Sequence, residues 1–452
     1  MDAQEQEQEA IALEAEIQAL RHKLHALESK YSNHMARDTG VSSHHRSGTW
    51  DASGHGLSKG QVERYSRQII LPSFGVSSQS KLCRGSVLVV GAGGLGSPAL
   101  LYLAAAGVGK IGIVDRDEVE LSNIHRQVIH REAAVGVAKT TSAAEAIRQI
   151  NSSIDVEEYT DGFTPKNALD IIEKYDVVMD ASDNAPTRYL ISDACCIAQK
   201  PLVSGAAIGT DGQLTVYCYG DDGPCYRCLY PNPPPAQNCA RCADAGVLGP
   251  VPGAIGTLQA LEVIKIISGI GEVLSKKMLI VDALYCRYMT VKLRSKSDSC
   301  ASCGSNPSVT RDSLPTFDYF AFTGQPSASD APTSLNLVDP NHRITVAELV
   351  ERMEKDPMHL VVDVRPRHQF DICSIPGSIN APMQEFGNHI DTIKGMIQQD
   401  GNAVPISVIC RRGNQSQRAL QELHGLGFTH AVDVIGGVQS WSSSIDPSFP
   451  LY

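Results

Sequence analysis

The stretch that most constrains this chain runs from Val87 to Gly96, VLVVGAGGLG. Four apolar β-formers lead into Gly91, Gly93, Gly94 and Gly96, and then into the helix-forming run SPALLYLAAAG. A strand, a glycine loop and a helix in that order make a phosphate cradle. Glycines let the backbone bend sharply and approach a phosphate, and unpaired N–H groups at the helix start carry partial positive charge. Asp115 ends the next apolar run, IGIVD, where a carboxylate can accept from ribose hydroxyls. These features specify a nucleotide, and alone they do not separate hydride transfer from ATP chemistry.

The segment that follows, DRDEVELSNIHRQVIHREAAVGVAK, is not something hydride transfer requires. It sets Asn123, Arg126 and Lys139 after the ribose carboxylate, where cations can converge on a triphosphate and stabilise charge on the transferring phosphoryl group. Val177–Asp180 reads as a strand running into ASDN, which offers Asp183 and Asn184 at a strand's carboxyl end, where open α/β sheets bind ligands. Asp183 suits magnesium, which takes one or two carboxylates together with phosphate oxygens. Each residue alone reads equally well as surface charge or a helix cap; in this order they point to ATP. His125 and His130 read as local packing or hydrogen bonding.

With 452 residues the chain exceeds a single core and divides into two or three domains. Its formal charge of −11 argues against nucleic acid as a partner, since that needs clustered Lys and Arg. The N-terminus MDAQEQEQEA lacks the marks of a secretory signal, and no uninterrupted apolar run is long enough to span a bilayer, so the expectation is a cytosolic enzyme with no membrane partner. Leu13, Ile17, Leu20, Leu24 and Leu27 form a short heptad seam over residues 1–30, either a partner-binding coil or a solvated, marginal helix. Residues 31–56 read as a flexible linker in which His44 and His45 bind nothing. From residue 57 to 304, strands alternate with helices, implying a Rossmann-like, mainly parallel sheet covered on both faces. Residues 305–342 read as a linker that drapes over the first domain, with only the patch Phe317–Phe322 to pack, and a smaller α/β domain occupies 343–452.

Thirteen cysteines suggest metal ligation or thiol chemistry rather than a disulfide scaffold. Cys225 with Cys228, and Cys300 with Cys303, form two Cys-x-x-Cys knuckles whose four thiolates suit one structural, tetrahedral zinc; a redox pair is the competing reading for either alone. Between them, YPNPPPAQNCARCADAGVLGPVPG reads as an exposed crossing segment carrying Cys239 and Cys242. Cys83, Cys195, Cys196, Cys218 and Cys286 sit in apolar runs and read as buried small hydrophobes. In the second domain Cys410 follows the strand Val408–Ile409, and RRGNQ then loops into a helix. Backbone N–H groups with Arg411 and Arg412 there suit a thiolate or a persulfide anion.

GAGGLG, SNIHRQ, VGVAK, ASDN and the upstream RYSRQIILPSFG resemble the adenylating domain of the ubiquitin-activating superfamily, especially its bacterial-type homodimeric members, over about Gly56 to Gly304. The resemblance implies ATP-dependent adenylation of the C-terminal glycine of a ubiquitin-like protein ending in Gly-Gly. By motif, Gly94, Asp115, Ser122, Asn123, Arg126, Lys139, Asp183 and Asn184 would contact ATP and magnesium, and Arg67 would reach the phosphates from the partner subunit of a homodimer. Gly91 would serve the turn itself. The resemblance also implies zinc on the four knuckle cysteines and a catalytic role for Cys242, with Cys239 nearby as a complication. No acid or base residue is required, because a carboxylate is already a nucleophile at neutral pH and needs mainly alignment and charge neutralisation.

VVDVRP, SIPGSINAP, VICRRGNQSQ and GGVQSW resemble a rhodanese sulfurtransferase domain over about Ile344 to Tyr452, with Cys410 as its catalytic thiol. A cysteine phosphatase would need arginine six places after the cysteine, where this chain has Ser416. QFDICSIPGS departs from the usual pattern by placing Cys373 and Ser374 before IPG; Cys373 reads as a bystander, and Asp363 and Arg365 as structural. The two domains in this order resemble the eukaryotic adenylyltransferase–sulfurtransferases of molybdenum cofactor synthesis. That resemblance implies sulfur taken from a cysteine desulfurase and loaded as a C-terminal thiocarboxylate. The carriers would be the small subunit of molybdopterin synthase and a ubiquitin-related modifier serving tRNA thiolation. Two other readings stay open at this point, a rhodanese domain that only binds a partner and a dinucleotide-dependent oxidoreductase.

Overall fold

The computed structural model describes residues 54–233, 246–325, 335–397 and 404–452. The coil expected over residues 1–30, the linker as far as residue 53, and both Cys239 and Cys242 lie outside the described residues. The chain divides into two units, one running to Arg84 and including Ser268–Gly271, the other comprising Gly85–Ile267 and Glu272–Tyr452.

The described part of the first unit is helical: Lys59–Arg64, Ser66–Ile69 and Gly75–Arg84. Ser58 starts it with a capping box, its hydroxyl accepting from Gln61 N while the Gln61 side chain accepts from Ser58 N, so two otherwise orphaned amide donors are satisfied.

The second unit holds two separate sheets. The first has eight strands in the order β3-β2-β1-β4-β5-β6-β7-β8. These are β1 Ser86–Val90, β2 Lys110–Val114, β3 Asp155–Tyr159, β4 Val177–Asp180, β5 Leu202–Ile208, β6 Asp211–Tyr217, β7 Lys277–Asp282 and β8 Arg287–Lys292. The five from β3 to β5 are parallel and the last three are added antiparallel. In β1, Val87, Leu88 and Val89 are fully buried, as an all-apolar central strand must be when helices cover both faces. Each such side chain contributes about 1.5–3 kcal/mol of burial. The parallel crossovers leave the carboxyl ends of β1, β2 and β4 together at one edge, where the site forms.

Helix Pro250–Ser268 is long and apolar enough by composition to cross a membrane. Its buried Gln259 donates to the carbonyls of Asp180 and Val203, so this apolar face covers the sheet instead.

The segment expected as a linker over 305–342 does lie over the first domain through Phe317–Phe322, but it is shorter as a linker and packed more fully than expected. Residues 305–325 belong to the first sheet's domain: Leu314 and Tyr319 are buried in its core, with Phe317 and Phe322 packed against them. From Leu335 the chain already pairs with the second domain, Leu335 N donating to Asn414 and Leu337 N to Gln417. Cys286 also departs from expectation. It is exposed, with φ of 52°, because it closes the tight turn between the paired strands β7 and β8. Cys195 is buried, and Cys83, Cys196 and Cys218 are half-buried.

The second sheet has five parallel strands in the order β11-β10-β12-β13-β9. They are β9 Arg343–Ile344, β10 Leu360–Asp363, β11 Ile379–Asn380, β12 Ile406–Ile409 and β13 Val432–Val434. Apolar clusters lie on both faces, one around Val362, Val408 and Leu420 and one around Val361, Ile409 and Trp441.

Candidate active sites and metal centre

The glycine loop forms as its sequence requires. Gly91 has φ of 105°, and a Cβ there would stand 2.6 Å from the carbonyl oxygen of Ala181, at the end of the neighbouring strand. A Cβ at Gly96 would stand 2.0 Å from Gly91 O, so the helix Gly96–Ala106 can sit against the turn only without a side chain. Two groups brace the loop. The Asp115 carboxylate accepts from Ala92 N at 2.8 Å and Asp117 N at 2.9 Å. The His130 ring contacts Ala92 O at 3.0 Å through Nε2 and the Ser142 hydroxyl at 2.9 Å through Nδ1. A carbonyl can only accept, so Nε2 carries the proton and the neutral ring accepts at Nδ1. Burial holds His130 below its ordinary pKa and raises Asp115 above its own.

A cavity of about 960 Å³ opens beside this loop. Gly94, Asp115, Arg126, Lys139, Asp183 and Asn184 line it, so the structure brings six of the sequence-predicted nucleotide residues together. Lys139 is buried, its Nζ 2.8 Å from Asp117. Ser122 and Asn123 stand one step behind the lining. Both donate to Glu120 Oε2, and Asn123 Oδ1 accepts from Arg126 Nη2 at 2.6 Å, which aims the guanidinium. Asn184 has a second task as N-cap of helix Ala185–Ala198, its Oδ1 accepting from Thr187 N. Asp183 is exposed to the cavity with a carboxylate available for a cation. Arg67 is exposed on its short helix in the first unit.

Sequence reasoning missed one wall of this cavity. Phe317 to Phe320 line it, in the segment taken for linker. The segment is anchored by a buried ion pair: Arg227, between the knuckle cysteines, donates to both oxygens of Asp193 at 2.8 to 3.0 Å, and Tyr319 Oη donates to the same carboxylate at 2.8 Å. The Arg227 guanidinium lies over the rings of Phe322 (4.4 Å), Tyr189 (5.1 Å) and Phe317 (5.2 Å). Arg188 was also missed. Its guanidinium donates to Ser182 O, just past β4, and to Gly205 O in the middle of β5, tying the two strands at the cavity. Its place four residues after the Asn184 cap was the one available signal.

The four knuckle sulfurs, Cys225, Cys228, Cys300 and Cys303, lie within 4.8 Å of one another. Neighbouring pairs stand at 3.3 to 3.7 Å. Ligands about 2.3 Å from a tetrahedral metal are separated by about 3.8 Å, so the donor set and spacing fit a four-thiolate metal centre.

In the second sheet Cys410 is buried at the carboxyl end of β12. Its Sγ accepts from Gly413 N at 3.1 Å and contacts the Ser416 hydroxyl at 3.3 Å. The start of helix Gly437–Ser444 carries the loop from the other side, with Val438 N donating to Cys410 O and Gln439 N to Arg411 O. Gly437 must be glycine, since a Cβ there would stand 2.1 Å from Cys410 O. Asp363 and Arg365 form a buried ion pair at 2.6 Å, consistent with a structural role.

The two sheets, the braced glycine loop with its cations, and a buried thiol at a strand end define an adenylating domain joined to a sulfurtransferase domain. The ThiF family model matches residues 65–302, and the rhodanese-like domain model matches 345–444. The chain is 52% identical over 391 residues to adenylyltransferase and sulfurtransferase MOCS3-1 of Zea mays, covering 86% of this chain and 83% of that protein. It is 50% identical to the MOCS3 of Arabidopsis thaliana, covering 88% and 87%, and 46% identical to that of Bos taurus, covering 88% and 89%. Among solved structures, E. coli MccB with MccA-N7isoASN aligns with a TM-score of 0.49 at 24% identity, over 56% of this chain and 77% of that one. The chain belongs to the MOCS3 adenylyltransferase and sulfurtransferase family. It is an enzyme that uses ATP for adenylation and transfers sulfur through a rhodanese domain.

Proposed function

We propose that this chain adenylates the C-terminal glycine carboxylate of a ubiquitin-like sulfur carrier and then converts it to a thiocarboxylate. The observation that carries the reading is the cavity of about 960 Å³, where the glycine loop, Arg126 and Lys139 meet Asp183. A carboxylate oxygen attacks the α-phosphorus of ATP, pyrophosphate leaves, and the acyl-adenylate forms. Asp183 would hold magnesium on the phosphates, and the four knuckle cysteines would hold zinc.

A persulfide on Cys410, supplied by a cysteine desulfurase, attacks the acyl carbon and expels AMP, leaving an acyl-disulfide. The Cys242 thiolate then attacks the Cys410 sulfur of that disulfide. The thiocarboxylate leaves, and a Cys242–Cys410 disulfide remains for a cellular dithiol to reduce. The Gly413 amide aimed at the Cys410 sulfur supports its assignment as the sulfur-bearing thiol. The carriers would be the small subunit of molybdopterin synthase and a ubiquitin-related modifier of tRNA thiolation, in the cytosol. The chain would act as a homodimer in which Arg67, exposed on its helix, serves the partner's phosphates.

The test is carrier-dependent ATP–pyrophosphate exchange followed by mass analysis of the carrier. Cys410→Ala should keep the exchange and lose the thiocarboxylate. Thiocarboxylate formed at the wild-type rate by Cys410→Ala would overturn the sulfur path.

A further inference from the structure

The sulfur loop has a third support besides the Gly413 turn and the helix Gly437–Ser444. Arg411, next to the thiol, turns its side chain to Tyr452: Nη2 donates to the Tyr452 carbonyl, and the guanidinium lies 5.0 Å from the centre of the ring. The Tyr452 hydroxyl in turn accepts from Arg365 Nη1 at 2.6 Å. Arg365 is immobile. Its guanidinium is buried, donates to both oxygens of Asp363 at 2.6 to 3.0 Å, and reaches the carbonyl of Cys373 at 2.7 Å. Asp363 ends β10 and pairs in register with Ile409, the residue before Cys410. One side of Tyr452 is therefore fixed to the frame beside the thiol, and the other side holds the arginine that follows it.

We propose that Tyr452 is a positioning residue for sulfur transfer, holding Arg411 against the Asp363–Arg365 frame and so setting the loop whose Gly413 amide faces the Cys410 sulfur. It touches no reacting atom. Its effect passes through Arg411, and the proposal rests on Cys410 as the sulfur-bearing thiol. A loop fixed on one side only presents its amide to the sulfur less often, which lowers turnover of a bound donor more than it lowers donor binding.

The test uses the full-length protein with thiosulfate as donor and cyanide as acceptor, beside the rate of Cys410 alkylation by iodoacetamide at fixed pH. Tyr452→Ala should lower kcat about tenfold with KM for thiosulfate changed by less than about twofold, and slow alkylation several-fold. Tyr452→Phe keeps the ring against Arg411 but loses the hydroxyl that ties it to Arg365, so its kcat should fall between those of Tyr452→Ala and wild type, with KM for thiosulfate unchanged. In an Arg411→Ala background, Tyr452→Ala should add nothing further, because both act through one contact. Near-UV circular dichroism and the thermal unfolding of the full-length variants serve as the control for folding of the second domain, and pyrophosphate exchange shows that the first is undisturbed. Wild-type kcat and alkylation in Tyr452→Ala, or full additivity with Arg411→Ala, would overturn the proposal. Alkylation reads the thiol directly, so it separates failure of the Tyr452 role from failure of Cys410 as sulfur carrier, which Cys410→Ala tests by itself.

Discussion

Replacing Asp193 by alanine should be among the most damaging single changes in the first domain, and its size follows from what it strands. Arg227 is 4% exposed and Asp193 fully buried, and the aspartate is the acceptor for three hydrogen bonds from Arg227 and one from Tyr319. Burial raises the Asp193 carboxyl above its ordinary range even beside Arg227, a sign of how dry the site is. Removing one partner of such a pair leaves an uncompensated buried charge at a cost of about 3–5 kcal/mol, against about 0–1 for a surface pair. For a domain of this size that lowers the unfolding temperature by about 6–20 °C. The consequences are functional as well, because Arg227 sits between two knuckle cysteines while Phe317 and Tyr319 wall the cavity beside the glycine loop. Thermal unfolding, metal content and the KM for ATP should move together in Asp193→Ala. Asp193→Asn keeps the shape and one acceptor oxygen and should fall between. An Asp193→Ala protein unfolding within about 2 °C of wild type would show that the buried pair does not hold this domain together.

Other changes report on separate parts of the site. Cys300→Ser should lose the bound metal and soluble yield together; stoichiometric metal in that variant would contradict the four-thiolate centre. Gly91→Ala should abolish pyrophosphate exchange while Gly60→Ala, whose Cβ meets nothing, leaves it intact, a contrast readable in one exchange assay. His130 refuses a proton in the folded state that the unfolded chain accepts near the ordinary value of 6.5. Stability should therefore be full above that value and fall as pH drops below it. Urea unfolding between about pH 7.5 and pH 5 should show this slope, reduced in His130→Gln. Lys139→Ala should lower kcat for adenylation by about 10²-fold, the usual effect of losing one preorganised charge, with the far-UV spectrum unchanged.

Local patterns carried much of this fold in plain view. The strand, glycine loop and helix around Val87–Gly96 are contiguous in sequence, and the demand for glycine at Gly91 is written in the turn itself. Central strands announce themselves by unbroken apolar runs. The edge strands do not: β3 reads DVEEY and β8 reads RYMTVK, and β8 is exposed along its whole length, so neither bears the mark of burial. Two knuckles far apart in the chain pointed to one metal centre because cysteine spacing is itself a chemical signature. What stayed hidden was polar and long-range. Asp193, Arg227 and Tyr319 come from three separate segments, and nothing in any one of them says that Phe317–Phe320 lines the cavity beside the glycine loop. Tyr452 reaches Arg365 and Arg411 in the same way, through contacts that only the folded chain creates.

The most direct test of the account is a single-turnover reaction of the protein, loaded with persulfide sulfur, with ATP and a Gly-Gly-ended ubiquitin-like carrier. Pyrophosphate and the mass of the carrier are followed together. One pyrophosphate should be released for each carrier whose terminal carboxylate gains sulfur in place of oxygen, with release retained and sulfur gain lost in Cys410→Ala. Sulfur gained without pyrophosphate release, or by the Cys410→Ala protein, would contradict it.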